Sequence, residues 1–281
     1  MKLMIKITAV FVAVAALLFY YMRDMEATPT DAAPASLERL AKLPNAVEES
    51  SGLVALPQKG LYLTHNDAGN KPYLYKINEQ GKLVETIKLN LNNEDWEDLT
   101  QDDEGYVYIA ETGNNNNNRR ELKVYKLKPE NPQQVETIRF TYEDQKQYPP
   151  AKKDRNFDVE AIFYSNGSIY LVSKDRGRQT TAKVYKVPAK AGEYTAKLIG
   201  SHNIKAEITG AGISPSEEKV ALLSEGKIHL FTDFDSPETF YEGTYNEIRL
   251  KDAGQTEGIA FEDEETLVIT SEGGNLYRYQ L

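Results

Sequence analysis

The chain has 281 residues, 40% of them hydrophobic, with 33 Lys and Arg against 43 Asp and Glu, a net charge of −10 and a pI near 5.0. That acidic balance argues against a sequence-independent nucleic-acid binder, which needs a basic face to release counterions from phosphate, so no nucleic acid is expected as a partner. Cysteine is absent, which excludes disulfides, zinc thiolates, a cysteine nucleophile and a lipidated cysteine together.

Lys2 and Lys6 lead into an uncharged, nearly all-apolar run from Ile7 to Met22, followed by Arg23-Asp24. As a helix this run would span roughly 24 Å at about 1.5 Å per residue, a little short of a hydrocarbon core of about 30 Å. Residues 1–23 read as a signal-anchor, with a cleavable signal peptide as the rival. Cleavage wants small residues directly after the apolar run, and Phe19-Tyr20-Tyr21-Met22 stands there instead. Lysines ahead of the span put that end in the cytoplasm and the rest outside. The expected address is the cell membrane, single-pass, with the bulk of the chain in the periplasm or on the cell surface; secretion after cleavage is the alternative. Residues 24–36, with Pro29 and Pro34 among Ala and Thr, read as a linker.

From residue 37 to 281 the pattern is strands. A short phrase of acidic or small residues ending on an aliphatic one recurs at intervals of roughly 50 residues. Aligned on the aliphatic residue, its copies are Ser50-Ser51-Gly52-Leu53, Trp96-Glu97-Asp98-Leu99, Val159-Glu160-Ala161-Ile162, Gly210-Ala211-Gly212-Ile213 and Thr256-Glu257-Gly258-Ile259. Each copy opens a strand, and a turn rich in Gly, Asn and acids leads to a second strand. The second and third strands are Leu61–Thr64 and Tyr73–Ile77, then Val107–Ala110 and Leu122–Leu127, then Ile169–Val172 and Lys183–Val187. Val220–Leu223 with Ile228–Phe231, and Leu267–Thr270 with Leu276–Tyr279, complete the series. The third strands alternate apolar and polar residues, as half-buried strands do.

Fourth strands follow at Val84–Leu89, Val135–Phe140, Ala196–Ile199 and Tyr245–Leu250; the last repeat has none, because the chain ends at Leu281. Leu37–Leu43 has the look of a fourth strand without a repeat of its own. The reading is an all-β chain: a five-bladed β-propeller of four-stranded blades whose ring the N-terminal strand closes, removing the exposed edges.

In a propeller the loops entering the innermost strands and those between second and third strands open on one face. That geometry gathers Glu97, Glu160 and Glu257 near the axis, beside Asp95 and Asp158 of their own phrases. Around them stand His65-Asn66-Asp67, Glu111 with Asn114 and Arg119, Lys174 and Arg176, Glu225 and Glu272. The glutamates carry three readings: locks that accept backbone N–H bonds, ligands to a hard cation such as Ca²⁺, which takes six to eight oxygens, or a carboxylate pair for acid–base chemistry. His65 and Glu160 are the catalytic candidates. No nucleophile elbow, phosphate loop or His-Glu-x-x-His motif is present.

Several of these phrases also carry a resemblance. Through Glu49-Ser50-Ser51-Gly52-Leu53, Asn78-Glu79-Gln80-Gly81 with Val84-Glu85-Thr86-Ile87, and Glu257-Gly258-Ile259-Ala260, the chain resembles the bacterial SdiA-regulated family of envelope propellers. Asp95-Trp96-Glu97-Asp98-Leu99, Asn156-Phe157-Asp158-Val159-Glu160-Ala161 and Leu171-Val172-Ser173-Lys174-Asp175-Arg176 are similar to a broader group of secreted propellers, within a superfamily that includes lactonase-like and NHL-type members. The resemblance implies the fold and the address, and no established reaction. The expected function is a membrane-tethered, monomeric binding module whose upper face takes a small molecule, a glycan or an envelope protein. The alternative is a Ca²⁺-dependent hydrolase, lactonase- or phytase-like, that uses the axial carboxylates.

Overall fold

The structure, a computed structural model, describes residues 37–281; the anchor expected over 1–23 and the linker over 24–36 lie outside the described residues. Among the described residues no helix is long and apolar enough to cross a membrane.

The chain runs as successive antiparallel meanders. β1 (Leu37–Lys42) precedes the first, which comprises β2 (Ser50–Ala55), β3 (Leu61–Asn66), β4 (Tyr73–Asn78) and β5 (Leu83–Lys88). The second holds β6 (Trp96–Gln101), β7 (Val107–Glu111), β8 (Leu122–Lys128) and β9 (Asn131–Tyr142). The third holds β10 (Asp158–Ser165), β11 (Ser168–Lys174), β12 (Ala182–Pro188) and β13 (Gly192–His202). β14 (Ile208–Ile213), β15 (Val220–Ser224), β16 (Lys227–Thr232) and β17 (Thr244–Arg249) follow. The chain closes on β18 (Thr256–Phe261), β19 (Thr266–Ser271) and β20 (Asn275–Gln280).

β1 pairs antiparallel with β20, Leu37 facing Tyr279 and Lys42 facing Asn275, so the first strand supplies the fourth member of the last sheet. The second and third meanders join into one eight-stranded sheet, because their outer strands β9 and β13 pair in parallel, Ile138 with Gly192 and Tyr142 with Ala196. The inner strands pack on one another in sequence: β2 on β6, β6 on β10, β10 on β14, β14 on β18, and β18 on β2. Apolar side chains fill the wedges between neighbouring meanders; one such cluster holds Val54 and Leu74 of the first with Trp96, Leu99 and Tyr125 of the second.

The recurring phrase has a structural meaning. Every inner strand carries a β-bulge at it: between Ser50 and Leu53, Trp96 and Leu99, Val159 and Ala161, Ile208 and Gly210, and Thr256 and Ile259. A bulge re-aims side chains at the head of a strand, and here neighbouring backbones also come close. A Cβ on Gly52 would lie 2.5 Å from the Leu99 nitrogen, and one on Gly210 would lie 2.4 Å from the Glu257 carbonyl oxygen. Small residues are needed at those places. Hydroxyls tie adjacent units: Ser51 donates to the Glu97 carbonyl at 2.6 Å, Thr112 to Val159 at 2.7 Å and Thr209 to Thr256 at 2.8 Å.

The fourth copy sits two residues earlier than its aliphatic residue suggests. Ala211 pairs with Leu222, and its amide shares the Asp98 carboxylate with that of Ile162. The copy is therefore Ile208-Thr209-Gly210-Ala211, and Thr209, not Ala211, stands at the place of Glu97, Glu160 and Glu257. Ala211 is a poor apolar marker, which is why Ile213 draws the alignment.

Candidate functional site

Where the inner strands begin, a cleft of about 520 Å³ opens on the upper face, lined mainly by polar groups. Glu97, Glu160 and Glu257 enter it from the heads of β6, β10 and β18; Asp67 and Asp95 come from the loops after β3 and before β6. Lys174, Arg176 and Glu272 complete the predicted residues that line it.

The cleft has two halves of different electrostatics. In one, Lys174 Nζ donates to Glu160 at 2.6 Å, while Arg176 spans Glu160 at 2.5 Å and Asp158 at 2.6 Å. Burial opposes the Lys174 and Arg176 charges, but the facing carboxylates outweigh it and hold both cations above their ordinary values. In the other half Asp67, Asp95 and Glu97 each offer an oxygen within 4.8 Å of the others, and no cation pairs with any of them among the described residues. Glu97 also meets Asp158 and Glu160 within the same distance, so it belongs to both halves.

Glu97 is only 7% exposed, and its carboxylate accepts no hydrogen bond among the described residues. Burial, then the charges of Glu160 and Asp158, pushes its pKa well above the ordinary carboxylate range. Burial followed by Asp158 raises Asp95 to about 6, and burial raises Glu257 to about 7. Gly113 makes room for this convergence: a Cβ there would stand 2.2 Å from Asp95 Cγ and from Glu97 Oε1.

The residues behind the cleft hold it in shape. Glu111, fully buried, accepts from the amides of Glu94 at 3.0 Å and Asp95 at 3.2 Å, and from Arg119 at 2.9 Å. Arg119 also donates to the Gly113 carbonyl at 2.6 Å. Asn114 donates through its side chain to the Phe157 carbonyl at 2.9 Å and through its backbone to Asp158. Glu111, Asn114 and Arg119 thus position Asp95, Gly113 and Asp158 and do not line the cleft. Asn66 likewise turns inward, donating to the Ala46 carbonyl at 2.9 Å.

Three expectations need correction. His65 is not on the upper face: it is fully buried edge-on against Trp96, its Nδ1 donates to the Asn66 carbonyl at 2.9 Å, and burial depresses its pKa to about 4. A neutral imidazole wedged against Gly52 packs two inner strands together and is no base for the cleft. Glu225 is exposed and stands apart from the cleft, because the hairpin from β15 to β16 is too short to reach the axis. Glu257 lines the cleft but lies outside both carboxylate groups; Asp67, Asp95 and Asp158 join Glu97 and Glu160 in them.

The sequence reading missed Asp98. Its carboxylate, fully buried, accepts from its neighbour Leu99 at 2.8 Å, from Ile162 on β10 at 2.8 Å and from Ala211 on β14 at 3.2 Å. One side chain therefore ties three inner strands across the axis. Its departure from the small residues at that place in the other copies was the available signal.

An all-carboxylate donor set suits a hard cation. Ligands at about 2.4 Å from Ca²⁺ lie at most about 4.8 Å from one another, and both groups meet that limit.

Meanders packed by their inner strands around an axis, with an acidic cleft at one end, define a β-propeller. The chain is similar in fold to the PQQ-bound aldose sugar dehydrogenase of Streptomyces coelicolor, at 8% identity and a TM-score of 0.54, over 88% of this chain and 98% of that one. It also matches a gluconolactonase of Xanthomonas campestris at 11% identity and a TM-score of 0.48, over 89% and 91% of the two chains. No protein-family model matches the chain, and no curated protein is similar to it.

Proposed function

We propose that this chain is a five-bladed propeller of the SdiA-regulated kind, closed by its first strand and tethered outside the cytoplasm by residues 1–23. Its upper cleft binds a small molecule, glycan or envelope protein through a hard divalent cation, of which Ca²⁺ is the best match. The observation that carries this reading is Glu97, a buried carboxylate without a hydrogen-bond donor among the described residues, facing Asp67 and Asp95 on one side and Asp158 and Glu160 on the other. Burying so much like charge is costly unless a cation joins it. The chemistry such a cation supplies is a point of attachment for carbonyl, carboxylate or hydroxyl oxygens. Glu111 and Arg119 fix the strand head that presents Asp95, and Lys174 and Arg176 neutralise Glu160 and Asp158, leaving the Asp67 side open.

The hydrolase alternative needs a base or nucleophile in the cleft. His65 lies outside it and the Ser51 hydroxyl donates to the Glu97 carbonyl, which leaves the raised carboxylates Asp95 and Glu257 as its bases. The binding reading is preferred because it asks only for the cation that the acidic cleft calls for. Thermal unfolding in EDTA, then with added Ca²⁺, tests it. A cation that binds only the native state stabilises by about 2.7 kcal/mol at a hundredfold excess over its dissociation constant. The melting temperature of the native chain is expected to rise with Ca²⁺, and that of Glu97→Gln to respond far less. No response of the native chain, or an equal response of the variant, would remove the cation from the reading.

A further inference from the structure

The opposite end of the axis opens into a second cavity, of about 620 Å³, that shares no lining residue with the upper cleft. Asp98 ties β6, β10 and β14 at a level between the two. The buried lining of the lower funnel includes Leu99, Ala211 and Ile259, and Leu56, Tyr164 and Ile213 add half-buried apolar surface. Its volume falls in the range of small-molecule sites, roughly 300–1,000 Å³.

The charges on this funnel have one sign. Asp102, Asp103, Glu104, Glu130 and Glu217 line it, and among the described residues no Lys, Arg or His does. Two of the five are engaged: Asp102 accepts from Tyr108 at 2.8 Å, and Glu217 from Ser165 at 2.9 Å and Asn166 at 2.8 Å. Those bonds are to neutral donors and leave the negative charge in place. Asp103, Glu104 and Glu130 are exposed, and none has an ion-pair partner among the described residues. The upper cleft differs, because Lys174 and Arg176 neutralise part of its acid. Aromatic surface completes the funnel: Tyr164 is half-buried in its wall, held by stacking on Tyr108 at 5.6 Å between ring centroids.

We propose that the lower funnel is a binding site for a hydrophobic organic cation, an ammonium or phosphonium centre carrying hydrocarbon or aromatic groups. The apolar interior takes the body of such a ligand and gains by removing it from water. The acidic rim attracts the head and repels anions, and an aromatic face stabilises a weakly hydrated cation further. A small inorganic cation would find the rim carboxylates exposed, and among the described residues no three of them converge as a ligand set.

Calorimetric titration of the full chain with tetraphenylphosphonium and with tetraphenylborate separates charge from shape, since the two ions differ chiefly in sign. The phosphonium is expected to bind at a single site and the borate not to bind. Neutralising the rim with Asp103→Asn, Glu104→Gln and Glu217→Gln together is expected to weaken phosphonium binding about tenfold. Those carboxylates are outside the core, so the triple variant should fold; Ile213→Arg, which places a cation in the wall, is expected to abolish binding. Equal binding of both ions would mean a merely apolar surface and would overturn the proposal. So would no phosphonium binding, or affinity unchanged in the triple variant. Displacement of the phosphonium by Ca²⁺ beyond the effect of NaCl at equal ionic strength would put the ion in the upper cleft and would also overturn it.

Discussion

Glu97 and Asp98 are adjacent in the chain and use their carboxylates in opposite ways. Among the described residues Glu97 accepts nothing and faces other acids, whereas Asp98 accepts three backbone amides and faces no charge. The bulge between Trp96 and Leu99 makes the division possible, since it aims one carboxylate up into the cleft and the other into the axis. Asp98→Ala would orphan three buried N–H groups, each at roughly 1–3 kcal/mol, offset in part because the buried carboxylate itself is costly to desolvate. A loss of about 3 kcal/mol is expected for Asp98→Ala in denaturant unfolding, and a smaller one for Asp98→Asn, which keeps an acceptor oxygen. Equal losses would count against the acceptor role. The residue scale was half legible in the sequence. Acids at the phrase marked Glu97, Glu160 and Glu257, but which acid meets which depends on bulges and loops that spacing does not encode. Asp67, Asp95 and Asp158 joined the carboxylate groups and Glu257 did not, because proximity across the axis is fixed by how inner strands splay.

The same phrase was legible at the scale of elements for a plain reason. In four of the five copies neighbouring inner strands come so close at that place that only Gly or Ala stands there, Asp98 being the exception, and a bulge recurs beside it. The strands themselves followed from alternation and turn residues, with differences confined to their ends: the outer strand expected over Val135–Phe140 runs as β9 from Asn131 to Tyr142. Its parallel pairing with β13 was not legible, since nothing in an alternating strand names a partner that lies in another meander. That pairing has a consequence for local stability. Among the described residues the outer strands β5 and β17 have a free edge, while β9 and β13 are bonded on both sides along their shared register. Amide exchange of β9 and β13 over Ile138–Tyr142 and Gly192–Ala196 is expected to be slower than that of β5 and β17, as edge amides open with little loss of contact. Equal exchange in all four strands would mean that the parallel pairs add nothing to protection.

For the whole molecule, the acids of the upper cleft and the buried histidines set opposite dependences of stability on pH. His65 and His229 fall from an ordinary 6.5 to about 4, mainly through burial. The unfolded chain therefore binds protons on them that the fold does not, and their contribution is lost as pH drops below 6.5. Asp95, raised to about 6, Glu257, raised to about 7, and Glu97 keep protons that the unfolded chain has already released. Their contribution is present at low pH and is lost as pH rises through the native values. Between about pH 4.5 and 6.5 the two sets oppose each other. Above 6.5 the histidines are neutral in both states and only the acids act. In EDTA the melting temperature is therefore expected to fall from about pH 6.5 to about pH 8. A divalent cation binds the ionised carboxylates, so it competes with their protons and its stabilising effect grows over the same interval. Melting curves at both pH values, with EDTA and with Ca²⁺, read all of this at once: a larger Ca²⁺ shift at the higher pH is expected, with loss of that increment in Glu97→Gln. A melting temperature that climbs with pH in EDTA would mean that these acids are already ionised in the native state without a cation. The raised carboxylates would then be satisfied by Lys174 and Arg176 alone, and the upper cleft would hold its charge as internal ion pairs.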